Sequence, residues 1–339
     1  MLRQRYVVGI VWGLMVGGCS TEVDLVAPEA RERLVVYGIL RTDSDSQYIR
    51  IGKLFVTRGN AANYASQNDL SVKARVRLRD ESGREWLGIP ETVGKIPSQP
   101  FYPIHTVYRL HMRPIPRQRY FLHIEVPENP SLNVEATTIV PSPPYLARPE
   151  SIVYLGPTPS YPSIDLTKKI IFTFFPQYES HLPVLAAAYE LSFFFHYRKV
   201  VAPGDTQQRR FGLGPIRVPH QPTTRAQAYT FAEKALLRQA YASIQPETGM
   251  SLYDASPLSQ AWGLDLTAID TALYQYLRAN DPATTDFTTV KPEYTNIRNG
   301  LGVFGSAAPA RRYFRIDPCS EYLLRLNNAP RPYTTCNLE

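Results

Sequence analysis

Residues 33–56, "RLVVYGILRTDSDSQYIRIGKLFV", decide the fold. An apolar run from Leu34 to Leu40 meets the polar segment RTDSDSQ, and a second run then starts by alternating Ile49 and Ile51 with Arg50. Alternation at a period of two marks a strand with one buried face, and Asp and Ser supply the turn between strands. The stretch predicts a hairpin that opens a β-sandwich. Asp43 and Asp45 stand at alternate positions, as calcium ligands do, but the loop has neither the turn glycine nor the terminal glutamate of a helix-loop-helix calcium site. Turn chemistry is the preferred reading.

The same grammar continues outward. "VKARVRLRD" (72–80), the turn "ESGRE" and an apolar piece around Trp86 read as a second hairpin, and "TVYRLHM" and "RYFLHIEV" extend the series. Arg75, Arg77 and Arg79 alternate as on a solvated strand face. His105, His111 and His123 sit among alternating side chains, and no metal is expected because their spacing does not require convergence. Prolines in "ATTIVPSPPYLARPES" (136–151) mark a corner or linker.

Beyond it, "KIIFTFFP" and "AAYELSFFFHYRKV" read as strands. The second puts Tyr189, Leu191, Phe193, Phe195 and Tyr197 on one face, a stripe best explained by packing between sheets, with a ligand-stacking surface as the alternative. A helix is predicted over 223–244, with Thr223 or Thr224 as N-cap and Tyr229, Phe231, Ala235, Leu236 and Ala240 on its apolar face. A strand leading into a short helix that begins near Ala268 is predicted from "WGLDLTAIDTALYQYLRAND". The expected architecture is therefore mainly β: an immunoglobulin-like β-sandwich over 33–148, followed by a second β-rich domain over 149–339 with one or two short helices.

Composition agrees with a folded chain of this kind. The 339 residues are 44% hydrophobic and 20% charged, with 30 prolines and 22 tyrosines. The net charge of +7 falls to +5, with 35 basic against 30 acidic residues, once Arg3 and Arg5 are set aside as part of a leader. The remaining basic residues are scattered, and Arg311, Arg312 and Arg315 beside Tyr313 and Phe314 form no concentrated stripe. Nucleic acid is not an expected partner.

The amino terminus carries the most specific signal. Arg3 and Arg5 precede an apolar run from Tyr6 to Val16, too short for a hydrocarbon core that needs roughly 20 residues. Val16-Gly17-Gly18-Cys19 resembles the lipobox of bacterial lipoproteins, in which the cysteine thiol receives a diacylglycerol and the bond between Gly18 and Cys19 is cut. Residues 1–18 then form a signal peptide, 19–32 a tether, and the acyl chains on Cys19 hold the protein on a membrane. Ser20, Glu22 and Asp24 lack the retention aspartate that follows the cysteine in enteric inner-membrane lipoproteins, which points to the outer membrane.

The chain has three cysteines. Cys319 and Cys336 suit a disulfide in an oxidising compartment, closing a loop worth about 3 kcal/mol; two free thiols or a metal site are the alternatives. Acidic pairs such as Asp265 with Asp270, or Glu293 with Asp286, would be needed by an exported hydrolase, yet no GxSxG or HExxH motif accompanies them.

The lipobox, "LVVYGIL", "QYIRIGKLF", "LYQYLRAN" and above all "YTNIRNGLGVFGS" (294–306) occur in an order similar to that of the Bacteroidetes outer-membrane lipoproteins grouped as domain of unknown function 4249. The most specific part is Asn296-Ile297 followed by Gly300, Gly302, Phe304 and Gly305; Arg298 and Asn299 stand where that family often has an acidic residue and a glycine. The resemblance implies an extracytoplasmic lipoprotein, often encoded near TonB-dependent receptors, with no catalytic residue and no cofactor assigned. From the residues themselves, the three glycines suit a strand with tight turns and close backbone approach. The expected role is non-catalytic binding of a partner or ligand at the outer membrane, with a TonB-dependent β-barrel receptor or transporter as the candidate partner, and a surface adhesive module or an exported glycan or peptide hydrolase as alternatives.

Overall fold

A computed structural model describes residues 32–54, 72–93, 105–148, 163–177, 181–202, 205–244, 253–254, 262–281, 294–316, 320 and 323. The chain is mainly β. The opening stretch forms the expected hairpin of β1 (Leu34–Arg41) and β2 (Ser46–Lys53), paired antiparallel from Leu34 and Lys53 inward. Its turn is closed by a side chain outside the Asp-Ser reading. The Gln47 amide, 2% exposed, accepts from the Arg41 N–H at 2.7 Å and donates to the Ser44 carbonyl at 2.7 Å. Asp43 is held by Arg41 at 2.9 Å and Asp45 by Arg113 at 3.4 Å.

The second hairpin is β3 (Arg75–Asp80) and β4 (Glu85–Leu87). After β5 (Ile89–Val93) come β6 (His105–His111), β7 (Arg119–Glu125) and β8 (Val134–Ile139). Strands β4, β3, β7 and β8 make a four-stranded sheet, whereas β5 and β6 join β2. The two sheets form a sandwich around one core. Leu34, Val36, Ile49 and Ile51 are packed in the same cluster as Val76, Leu78, Leu122 and Ile124, and full burial of each such side chain stabilises by about 1.5–3 kcal/mol. The alternating arginines lie as expected: Val76 and Leu78 point inward while Arg75 and Arg79 are exposed.

The later strands are β9 (Tyr145–Arg148), β10 (Ser163–Ile164), β11 (Ile170–Phe175), the long hairpin β12 (Ala188–Ala202) with β13 (Asp205–Pro219), β14 (Gln227–Phe231), β15 (Tyr253–Asp254), β16 (Trp262–Ile269) and β17 (Gly300–Ile316). The main sheet runs β13-β12-β16-β17-β1-β2-β6-β5, with β10 beside β17 and β15 beside β12. It thus takes strands from both sides of residue 148. Its centre is a parallel pairing of β1 with β17, from Leu34 and Gly300 to Arg41 and Ala307.

A three-stranded sheet, β14-β11-β9, encloses a second core with helix α1 (Ala235–Ile244). Tyr189, Leu191 and Phe193 of the aromatic stripe are buried in it, so packing is the role of that part of the stripe; the Phe195 and Tyr197 side chains lie outside the described set. Phe172 meets Phe193 edge-on at 4.9 Å, and Phe174 meets Tyr189 in the same manner at 4.9 Å.

Both helix starts differ from expectation. Residues 227–231 are not helical but pair antiparallel with β11, because Phe231 and Gln227 alternate inward and β11 offers a partner. Gln227 also ties the preceding loop, bonding the backbone of Gln221 and Thr224, so neither threonine caps a helix. Likewise Ala268 and Ile269 finish β16, and helix α2 (Thr271–Ala279) begins after Asp270, whose carboxylate accepts the Leu273 N–H at 2.8 Å as an N-cap. Among the described residues no helix is long and apolar enough to cross a membrane.

Candidate functional site

The glycine-rich motif lies at the meeting of β1, β8, β17 and α2. Asn296 holds Phe304 at both backbone groups, accepting its N–H at 2.9 Å and donating to its carbonyl at 2.7 Å. Ile297 and Phe304 fill the first core. Asn299, at a φ of 62°, donates to the carbonyls of Ser131 and Asn133. Gly302 has a φ of 102°, and a Cβ there would stand 2.1 Å from the Val36 carbonyl oxygen. Gly305 lies under α2, where a Cβ would meet Leu273 at 2.8 Å. The close approach read from the glycines is therefore present, and the motif fastens the last long strand onto the first.

A buried polar cluster adjoins it. Thr138 donates to the Asp270 carboxylate, its hydroxyl lies 2.9 Å from that of Ser306, and Ser306 is 3.1 Å from the Ile139 carbonyl. Burial pushes the Asp270 carboxyl above the usual range, against the opposing pull of the hydrogen bonds from Thr138, Leu273 and Ser306. Asp265 sits in a different setting. Arg311 grips it through two bonds of 2.6 and 2.8 Å, and Arg210 and Arg311 both cover the buried ring of Phe194, at 4.7 and 4.9 Å. His123 is flanked by Glu125 and Glu135 at 3.2 and 3.5 Å, and His111 is exposed. Gly18, Cys19, Asp286, Glu293, Cys319 and Cys336 fall outside the described residues, as does the His105 side chain.

A cleft of about 500 Å³ lies at the end of the three-stranded sheet. Tyr145 opens β9, Phe175 closes β11, and Val184 comes from the segment before β12; His220 and Arg225 come from the connection of β13 to β14. Tyr145 and Val184 are 37% and 36% exposed, a surface of ring and methyl groups left open to solvent. The floor is fixed by polar contacts. Gln177 donates to the Leu182 carbonyl at 2.6 Å and accepts from Arg117 at 3.2 Å, and Arg117 also reaches the Pro183 carbonyl at 3.0 Å. His220 lies 3.3 Å from the Tyr189 hydroxyl, and burial lowers its pKa, which keeps the ring neutral at pH 7. Arg225 stands 6.0 Å from the Phe175 ring centre and Arg312 stands 5.8 Å from that of Tyr145, both at cation–π range. Four separated segments build this cleft, and no local pattern in any one of them marks it.

A family model described as "Domain of unknown function (DUF4249)" matches residues 20–312. The chain belongs to this family. The DUF4249 match spans the glycine motif and every residue of the cleft named above. Comparison with curated proteins finds no significant match. Among solved structures, a DUF4785 family protein from Legionella pneumophila is similar at 13% identity and a TM-score of 0.22, over 70% of this chain and 52% of its own. A pullulanase from Anoxybacillus sp., solved with maltotriose, is similar at 12% identity and a TM-score of 0.18, over 68% and 24%. The chain thus spans about half the length of the first and about a quarter of the second.

Proposed function

We propose that this DUF4249 protein is an exported lipoprotein, held on the outer membrane through lipid on Cys19, that binds a ligand or partner without turning it over. The lipobox Val16-Gly17-Gly18-Cys19 and the 19–32 tether support the anchored placement, and a disulfide between Cys319 and Cys336 fits an oxidising compartment. The observation that carries the binding role is the construction of the cleft. Gln177 and His220 are engaged inside the protein, and ring faces and arginines are what the cleft offers a guest. Such a surface holds and orients a guest.

The expected partner is a β-barrel receptor of the TonB-dependent kind. Affinity purification from membranes solubilised in mild detergent should recover a barrel in constant ratio with the protein. Recovery of the lipoprotein alone, at several detergent strengths, would refute the accessory role.

A further inference from the structure

We propose that the cleft takes a small ring compound bearing a carboxylate, with the anion on Arg225 and the ring against Phe175 and Tyr145. This inference rests on the binding role assigned above. Several surface arginines have carboxylate partners, among them Arg41 with Asp43 at 2.9 Å, Arg217 with Glu190 at 2.9 Å and Arg311 with Asp265 at 2.6 Å. Arg225 and Arg312 have no ion pair among the described residues, and each instead lies over an aromatic side chain of the cleft, Phe175 and Tyr145. Among the described residues lining the cleft, none is an aspartate or glutamate. The walls are therefore apolar and aromatic while the local charge is positive.

That combination selects chemistry. A guanidinium presents a planar fork that matches a carboxylate in two parallel hydrogen bonds, and an aromatic face accepts either a second aromatic ring or the C–H face of a sugar. A volume of about 500 Å³ lies within the range of small-molecule sites. A neutral ring would use the walls and leave the cations unmatched; a linear polyanion would use the cations and leave the walls wet. A carboxylated ring uses both.

The test uses the full-length protein in detergent, with D-glucuronate and 4-hydroxybenzoate as probes and glucose and 4-hydroxybenzyl alcohol as their neutral counterparts. Saturation-transfer NMR and calorimetry should show at least one acid binding, at least roughly tenfold more tightly than its neutral counterpart and more weakly at high salt. Which acid binds distinguishes a sugar from an aromatic ligand. Arg225→Gln should weaken binding about tenfold, Arg225→Lys by less, and both variants should melt with the parent because Arg225 is exposed. Failure of both acids to saturate, or an Arg225→Gln variant that binds as the parent does, overturns the proposal. If the neutral rings bind as tightly as the acids and Tyr145→Ala abolishes that binding, the anionic ligand class falls while the cleft remains a binding site; the receptor recovery described above tests the accessory role separately.

Discussion

Replacing Gly302 by alanine should be among the most damaging single changes in the protein. Its φ of 102° is a conformation that side-chain-bearing residues hold only at a cost of roughly 1–3 kcal/mol. The added Cβ would also lie 2.1 Å from the Val36 carbonyl oxygen and 3.0 Å from its carbon, so backbone rather than a flexible side chain must move. A displacement of about an ångström there opens the β1–β17 ladder, and each buried backbone group left unpaired costs about 1–3 kcal/mol. The expected loss is about 3–5 kcal/mol. Urea unfolding followed by tryptophan fluorescence measures it, with Gly52→Ala as control, since a Cβ at 52 meets nothing within 4 Å. Gly52→Ala should lie within about 0.5 kcal/mol of the parent or slightly above it. A Gly302→Ala protein of parental stability would refute the claim that the motif clamps the two strands.

Asn296→Ala should cost about 2–4 kcal/mol in the same assay, because it strips both backbone groups of the buried Phe304, and Asn296→Asp should fall between because it keeps the acceptor. Asp270→Asn tests the buried carboxyl. Its pKa is raised by burial, so the folded chain binds a proton that the unfolded chain has already released, and the parent loses stability as pH rises through that window. The variant keeps a capping side chain and should gain on the parent as pH rises above the ordinary aspartate range, by up to about 1.4 kcal/mol per pH unit; a difference that stays constant with pH would contradict the assignment. Cys19→Ser should move the protein from the membrane to the soluble fraction and remove the mass of the acyl groups; unchanged fractionation would exclude this anchor. Alkylation under non-reducing, denaturing conditions should leave Cys319 and Cys336 unmodified, and modification of both without reductant would exclude the disulfide.

Local pattern carried the hairpins well. Ile49 and Ile51 about Arg50, and Val76 and Leu78 between arginines, show a period of two that no tertiary contact needs to correct, whereas the continuous apolar run Leu34–Leu40 takes its alternation of buried and exposed residues from its place in the sheet. The region 223–244 was harder, since Tyr229, Phe231 and Ala235 satisfy a helical stripe as well as a strand; the partner strand Ile170–Phe175 decided in favour of pairing, and that information lies more than fifty residues away. The same limit governs the site. The glycines of the motif signalled a close approach, but Val36, the backbone approached, is far off in sequence. Tyr145, Phe175, His220 and Arg225 converge only through three-dimensional closure, so the cleft was invisible in one dimension.

Ribosomes deliver β1 long before β17, and this order has a consequence. One edge of β1 pairs with β2 and the other with residues 300–307, so that edge stays open until more than 260 further residues have been made. Throughout that interval the nascent chain displays an unpaired apolar strand, a template for unwanted pairing with a neighbouring copy. Loss of the segment from residue 300 onward would make that exposure permanent, turning a folding delay into aggregation. Strand β17 thus acts as a check that the chain has been made through residue 307.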